Sequence, residues 1–197
     1  MSKTQNGDNL GFMLSETELI KGCIKNDRSA QQALYNSYCR KMMLVCLRYS
    51  KGIDEAEDIL QEGFIKVFQS IKGFRHEAKL ETWITRIMIN TTLNAQRKKM
   101  YLYPMVDVEE LHLPDQEISL TGIHFNQLLE LIQSLPQGCQ IVFNMFAIEG
   151  YSHKEIAKQL SISEGTSKSQ FARAKSLLQQ KLLKESMHYK YYGEGRI

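Results

Sequence analysis

The sequence predicts an all-α chain: two small helical bundles joined by a flexible acidic linker, the C-terminal one containing a helix-turn-helix. Three observations predict it. Apolar residues recur at helical spacing through the first hundred residues, with no convincing alternating strand and no proline before Pro104. Charge divides the chain in three: 16 Lys/Arg against 11 Asp/Glu over 1–100, five acids and no Lys/Arg over 101–121, and nine basic against six acidic residues over 122–197. Finally, "GYSHKEIAKQLSISEGTSKSQFARAKSLL" has the pattern of a short helix, a tight turn and a second helix.

Each element has its own signal. Ser15-Glu16-Thr17-Glu18 reads as a capping box opening a short helix to about Lys25. A long helix follows on the rhythm Leu34, Tyr38, Met42, Val45, Tyr49. Ala56, Leu60, Phe64, Val67 and Ile71 mark the next, with Asp54 as a natural N-cap and acids at 54–58 suited to the positive end of the helix dipole. Leu80, Ile84, Ile87, Met88 and Thr91 line one side of a fourth helix that ends in Arg97-Lys98-Lys99. The stretch 101–121 holds two prolines and all five of its charges are acidic, so it reads as a linker, too short to be a domain. Beyond it stand "GIHFNQLLELIQSL", a helix begun by Pro136, and the helix-turn-helix.

Composition excludes several function classes. No apolar run approaches the roughly 20 residues of a membrane span, and the N-terminus lacks the basic-then-apolar form of a signal peptide. Cys23, Cys39, Cys46 and Cys139 form neither a C-x-x-C pair nor a zinc spacing, so reduced thiols in a cytoplasmic protein are expected. The five histidines are scattered, and no motif for metal or nucleophilic catalysis is present. The expectation is therefore a protein that is not an enzyme, with no cofactor, whose two mildly basic blocks suit a polyanionic partner.

In the helix-turn-helix, Ser152 and Glu155 form a capping box, and Ile156, Ala157 and Leu160 face inward. Ile162 plugs the turn and Ser163 caps the second helix. At about 100° per residue, Phe171, Ala174, Leu178 and Leu182 fall on the inner side. Gly165, Thr166, Ser169, Ala172, Arg173 and Ser176 fall outward, flanked by Lys168 and Gln170. That outer face is small at its N-terminal end and offers hydroxyl, amide and guanidinium groups to base edges and phosphates. Two positions depart from the common pattern: Ser161 stands where a turn glycine is usual. Ser167 points inward where valine is usual, and could bond back to the Ser163 carbonyl.

The N-terminal bundle carries two further surfaces. Asp58, Gln61, Glu62 and Ile65 lie away from the Ala56–Val67 stripe, and an isoleucine among acids and amides suggests a protein contact rather than nucleic acid, although spacing alone favours a solvated helix face. After it, a glycine-led loop with Phe74, Arg75 and Lys79 leads into a helix bearing Trp83, Arg86, Asn90, Asn94, Arg97 and Lys98. Aromatics interleaved with cations and amides suit unstacked single-stranded bases beside a phosphate backbone, although a lone tryptophan at helical spacing is more often a core residue.

These residues carry a resemblance. "DEAEDILQEGFIKVF" with "FRHEAKLETWITRIMINTTLN" resembles region 2 of the extracytoplasmic-function (group 4) RNA polymerase sigma factors of the sigma-70 family. "LPQGCQIVFNMFAIEGYSHKEIAKQLSISEGTSKSQFARAKSLL" resembles their region 4. The resemblance implies region 2 over 15–100, a linker over 101–121, region 4 over 122–184 and a C-terminal tail over 185–197. It implies that Asp58 and Gln61 match a D-x-x-Q that docks on the β′ clamp helices of core RNA polymerase, with region 4 meeting the β flap. Phe74 to Lys79 would match the loop that captures a flipped base of the −10 element, beside Trp83 and Asn90 on the following helix. Lys168, Ser169, Gln170 and Arg173 would match the helix that reads the −35 element, where arginine is common at the place of Gln170. An anti-sigma factor, often membrane-anchored, is an implied partner, the chain itself not inserting in the membrane.

Two rival readings from other classes exist. A LuxR-type response regulator uses a similar C-terminal helix-turn-helix but needs an N-terminal α/β receiver, and 1–100 shows no strand run. A helical adaptor that binds only protein has no use for the Arg97-Lys98-Lys99 cluster or the polar recognition face.

Overall fold

The computed structural model describes residues 15–100 and 125–192, and the side chains of 15–96 and 126–184. Every regular element among them is helical: α1 Glu16–Ile24, α2 Arg28–Tyr49, α3 Ile53–Ser70, α4 Leu80–Met100, α5 Phe125–Gln133, α6 Gln137–Phe143, α7 His153–Leu160 and α8 Glu164–Tyr192. The expected linker, and the side chains of Arg97, Lys98 and the tail, lie outside the described residues.

The capping chemistry sets several starts. Ser15 Oγ accepts from the Glu18 N–H while Glu18 Oε2 accepts from the Ser15 N–H at 2.8 Å, completing the expected box. Asp27 Oδ1 accepts from the Ser29 N–H at 2.8 Å to open α2. The start of α3 differs from expectation, since the N-cap is Gly52 and Asp54 lies inside the first turn. The helical ladder begins at the Gly52 carbonyl, which accepts from the Ala56 N–H at 3.2 Å, and Glu55 accepts from the Lys51 N–H at 2.9 Å, tying the entering chain to the first turn.

The predicted apolar rhythms are the buried ones. Leu34, Met42, Val45 and Tyr49 of α2, Ala56, Leu60, Phe64 and Val67 of α3, and Leu80, Ile84 and Met88 of α4 are buried in one core together with Ile71 just past α3; Thr91 is buried too, while Tyr38 and Ile87 are partly buried against that core. Gly63 lets α3 and α4 approach, for a Cβ there would stand 2.2 Å from the Met88 sulfur. A 3-10 turn, Ile71–Gly73, and an extended loop then deliver the chain to α4.

In the C-terminal bundle, α6 ends earlier than the Pro136-led helix predicts and gives way to a wide π turn, Asn144–Ile148. The buried Asn144 amide explains this: its Nδ2 donates to the Gln140 carbonyl (3.0 Å) and the Arg48 carbonyl (2.7 Å), competing with the regular ladder. Leu131, Ile132, Leu135, Cys139 and Phe143 pack on Ala174 and Leu178 of α8. The other side of α6 and α7, through Ile141, Val142, Met145, Ile156 and Leu160, joins the core of the N-terminal bundle. Among the described residues, no helix is long and apolar enough to cross a membrane.

Candidate nucleic-acid and polymerase interfaces

The outer face of α3 carries Asp58, Gln61, Glu62 and Ile65, all exposed, with Ile65 at 56%. Burial of Ala56, Leu60, Phe64 and Val67 on the opposite side fixes that orientation. Lys66 pairs with Glu62 at 2.6 Å across one turn. An exposed isoleucine rimmed by acids and an amide is a surface that a partner can partly dehydrate.

The loop before α4 divides its residues. Arg75, Glu77 and Lys79 are exposed, whereas Phe74 is only 9% exposed, its ring 5.3 Å from Trp83 and 4.6 Å from His76. His76 holds the left-handed region at φ 58°, which turns the loop sharply. Phe74 is thus an anchor under the loop rather than a ring on its surface, a correction to its sequence placement among free stacking groups. Trp83 is half-buried beside it. Lys79, Trp83, Arg86, Asn90 and Asn94 follow at intervals of three and four, forming one stripe on α4 whose last three members are exposed.

The helix-turn-helix has its expected capping box, with Ser152 and Glu155 bonded at 2.8 Å and 3.3 Å. Those bonds from Ser152, and the positive charge of Arg86 nearby, hold the Glu155 carboxyl below its ordinary value. Ser161 takes the left-handed conformation at φ 57°, ψ 43°, the backbone a turn glycine would adopt more easily. Ser163 caps α8 through the Thr166 N–H at 2.8 Å.

The inner side of α8 is more polar than the wheel predicts. Ser167 is fully buried, and its Oγ bonds His153 Nδ1 at 2.9 Å instead of the Ser163 carbonyl. His153 stacks on Phe146 at 4.3 Å and meets Phe171 edge-on. Burial, then the charge of Lys168, push its pKa down and favour the neutral ring. Gln170, placed on a flank of the outer face, is only 4% exposed and accepts from the Cys139 thiol at 3.1 Å. Burial pushes the Cys139 pKa up, which keeps that thiol protonated as the donor. Thr166 is buried too, its hydroxyl 2.8 Å from Ser163 Oγ. The wheel misplaces Gln170, Thr166 and Ser176, the last only 5% exposed, because the packed elements and the cap residue enclose more of α8 than an apolar stripe alone reveals. Lys168 stays exposed, paired with Glu164 at 2.9 Å, while Ser169 and Arg173 are half-exposed.

Sequence reasoning missed one group of residues altogether. Gln133, Gln137, Gln140 and Asn144 project from α5, α6 and the π turn toward α2 and Gln96 of α4. Their spacing was a visible stripe of amides among apolar residues, and only the packing says that it points inward. Among the described residues no cluster of His, Cys, Asp and Glu could hold a metal.

Comparison with known families decides the identity. The sigma-70 region 2 family model matches residues 34–100, and the sigma-70, region 4 model matches residues 125–178. The chain belongs to the sigma-70 family. Similar curated relatives are sigma factors, several of them named as ECF RNA polymerase sigma factors. The ECF RNA polymerase sigma-E factor of Haemophilus influenzae is 25% identical over 183 residues, covering 86% of this chain and 96% of the relative. The RNA polymerase sigma-H factor of Pseudomonas aeruginosa is 27% identical over 187 residues, covering 87% and 97%. In solved structures, the chain is similar to the sigma factor RpoE from Bartonella quintana in complex with the anti-sigma factor NepR (TM-score 0.49, 19% identity, 77% of this chain and 95% of that one). This sigma factor is accordingly a non-catalytic transcription-initiation protein. Most of its α2, with α3 and α4, falls in the region 2 match, and α7 with the first half of α8 in the region 4 match.

Proposed function

We propose that this sigma factor docks on core RNA polymerase through the outer face of α3 and directs it to promoters through two DNA-facing surfaces. The observation that carries the reading is the exposed stripe on α4, in the same chain as a helix-turn-helix. Asp58, Gln61, Glu62 and Ile65 meet the β′ clamp helices, and region 4 meets the β flap. Arg75 and Lys79 hold the phosphates of the non-template strand at the −10 element, and Arg86, Asn90 and Asn94 track it along α4. Arg97 and Lys98 extend that track beyond the described side chains. Phe74 and Trp83 brace the loop from below, Trp83 also offering a ring edge to a base. Extruding a base costs a few kcal/mol, and stacking contacts of about 1–3 kcal/mol per base offset it.

On the duplex side, Lys168, Ser169 and Arg173 reach the −35 element, while Thr166 and Gln170 position α8 from within. The polymerase supplies all nucleotidyl-transfer chemistry. The protein acts in the cytoplasm beside the polymerase, and an anti-sigma factor is its expected negative partner. Run-off transcription with purified core enzyme on a promoter library tests the whole proposal. Specific start sites above core alone are expected, and their absence refutes it.

A further inference from the structure

On a helix wheel Lys168 and Gln170 each lie about a quarter-turn from the inner stripe of Phe171, Ala174 and Leu178, on opposite sides. A long side chain at such a boundary can turn either way, so position alone does not decide where it goes. Lys168 stands in solvent, its side chain 62% exposed. Gln170 turns in and is only 4% exposed. The difference is a partner. Cys139 of α6, itself fully buried, donates its thiol proton to Gln170 Oε1 at 3.1 Å. An amide carbonyl inside a protein needs such a donor, because burying it without one costs free energy. Burial raises the Cys139 pKa, against the charge of Arg173, so the thiol keeps the proton that it donates. The reach of the Arg173 charge to that thiol places the pair close behind the outer face of α8.

The helix itself has other supports. Ala174 and Leu178 pack on α5 and α6, Ser167 bonds His153 of α7, and Ser163 caps the first turn. Loss of the thiol therefore releases the Gln170 side chain rather than the helix. Turned outward, that amide stands beside Arg173 one turn along the reading face. It carries the donor and the acceptor that match N6 and N7 of adenine. We infer that Cys139, without touching DNA, sets the −35 preference of this sigma factor: its thiol holds Gln170 silent, and without that thiol Gln170 reads a base. Cys139 is a positioning residue for −35 recognition, acting through Gln170. The inference rests on the proposed role of α8 at the −35 element.

The test uses the full-length chain with core polymerase on promoters randomised across the −35 element, and reads relative transcript yield for each base at each position. Cys139→Ser keeps a donor, whereas Cys139→Ala and Cys139→Val remove it. Cys139→Ala is also combined with Gln170→Ala, and circular dichroism confirms the fold of every variant. Wild type and Cys139→Ser should share one profile. Cys139→Ala and Cys139→Val should gain a preference for adenine of at least about fivefold, the lower end for a bidentate base contact. The gain should adjoin the position that Arg173→Ala relaxes, and the double variant should lose it. If one thiol-free variant fails to fold, the other decides. An unchanged profile in the folded thiol-free variants, or an equal loss on every promoter, overturns the inference. A gain that survives Gln170→Ala overturns it too, for the helix and not the amide has then moved. Failure of α8 as the reading helix shows differently: wild type itself then prefers no base at any −35 position.

Discussion

Replacing Phe74 by alanine separates two roles for an aromatic at the head of a strand-binding loop. With 9% of its surface exposed and rings of Trp83 and His76 at 5.3 Å and 4.6 Å, the side chain is packed on most sides. Truncating a buried phenylalanine costs about 3–5 kcal/mol, and a position at the rim of a bundle belongs at the lower end, about 3 kcal/mol. For a chain of this length that corresponds to roughly 6–12 °C in Tm. Thermal unfolding followed by circular dichroism measures it. Trp83, the chain's one tryptophan, supplies a second probe because its emission should shift to the red when the neighbouring ring is lost. Phe74→Leu should recover most of the stability and much of the strand binding. A Phe74→Ala protein within about 0.5 kcal/mol of wild type, with unshifted emission and abolished strand binding, would make Phe74 a base contact and refute the anchor.

Four further outcomes are expected. Arg173→Ala should weaken promoter duplex binding by about 1–3 kcal/mol if it reads a base; unchanged affinity and preference in a mobility-shift titration removes it from the site. Asp58→Ala combined with Gln61→Ala should reduce capture of core polymerase while Tm stays within a few degrees, since both side chains are exposed. Ser161→Gly should stabilise the fold by up to about 1–2 kcal/mol, the cost of left-handed backbone for an L side chain, read from urea unfolding. Because the His153 pKa is pushed down in the folded protein, the unfolded chain binds more protons below about pH 6.5 and stability falls as pH drops through that value; His153→Gln should flatten the urea midpoints between about pH 7.5 and 5.5.

Much of the fold was legible because apolar side chains have only one good place to go. Leu34, Met42, Phe64, Val67, Ile84 and Leu178 repeat at helical spacing and are buried where that spacing puts them. The capping boxes at Ser15 and Ser152 were equally legible, since both partners sit within one turn of sequence. What the sequence hid depends on distant partners. Gln170 turns inward because Cys139, 31 residues away, donates to it, and Asn144 because the Arg48 carbonyl, 96 residues away, accepts from it. A polar residue on a helix wheel reads as outward until its partner is known, and no local pattern supplies that partner.

The inward polar groups of α8 also bear on how DNA is read. Ser167 and Gln170 give the recognition helix fixed bonds to α7 and α6, a tether that valine and a surface arginine at those positions would not make. Each bond restricts rotation of α8 on its support, so the helix meets a groove at a set angle. The same bonds withdraw Gln170 from the surface, so on the proposed function the reading groups would be Lys168, Ser169 and Arg173, over small Gly165 and Ala172. Lys168 is a point charge that favours phosphate, so base discrimination would then fall mainly on Arg173 and the Ser169 hydroxyl. On that reading, fewer base contacts on the duplex would leave more of the promoter choice to the unpaired strand along α4, where Arg86, Asn90 and Asn94 are exposed.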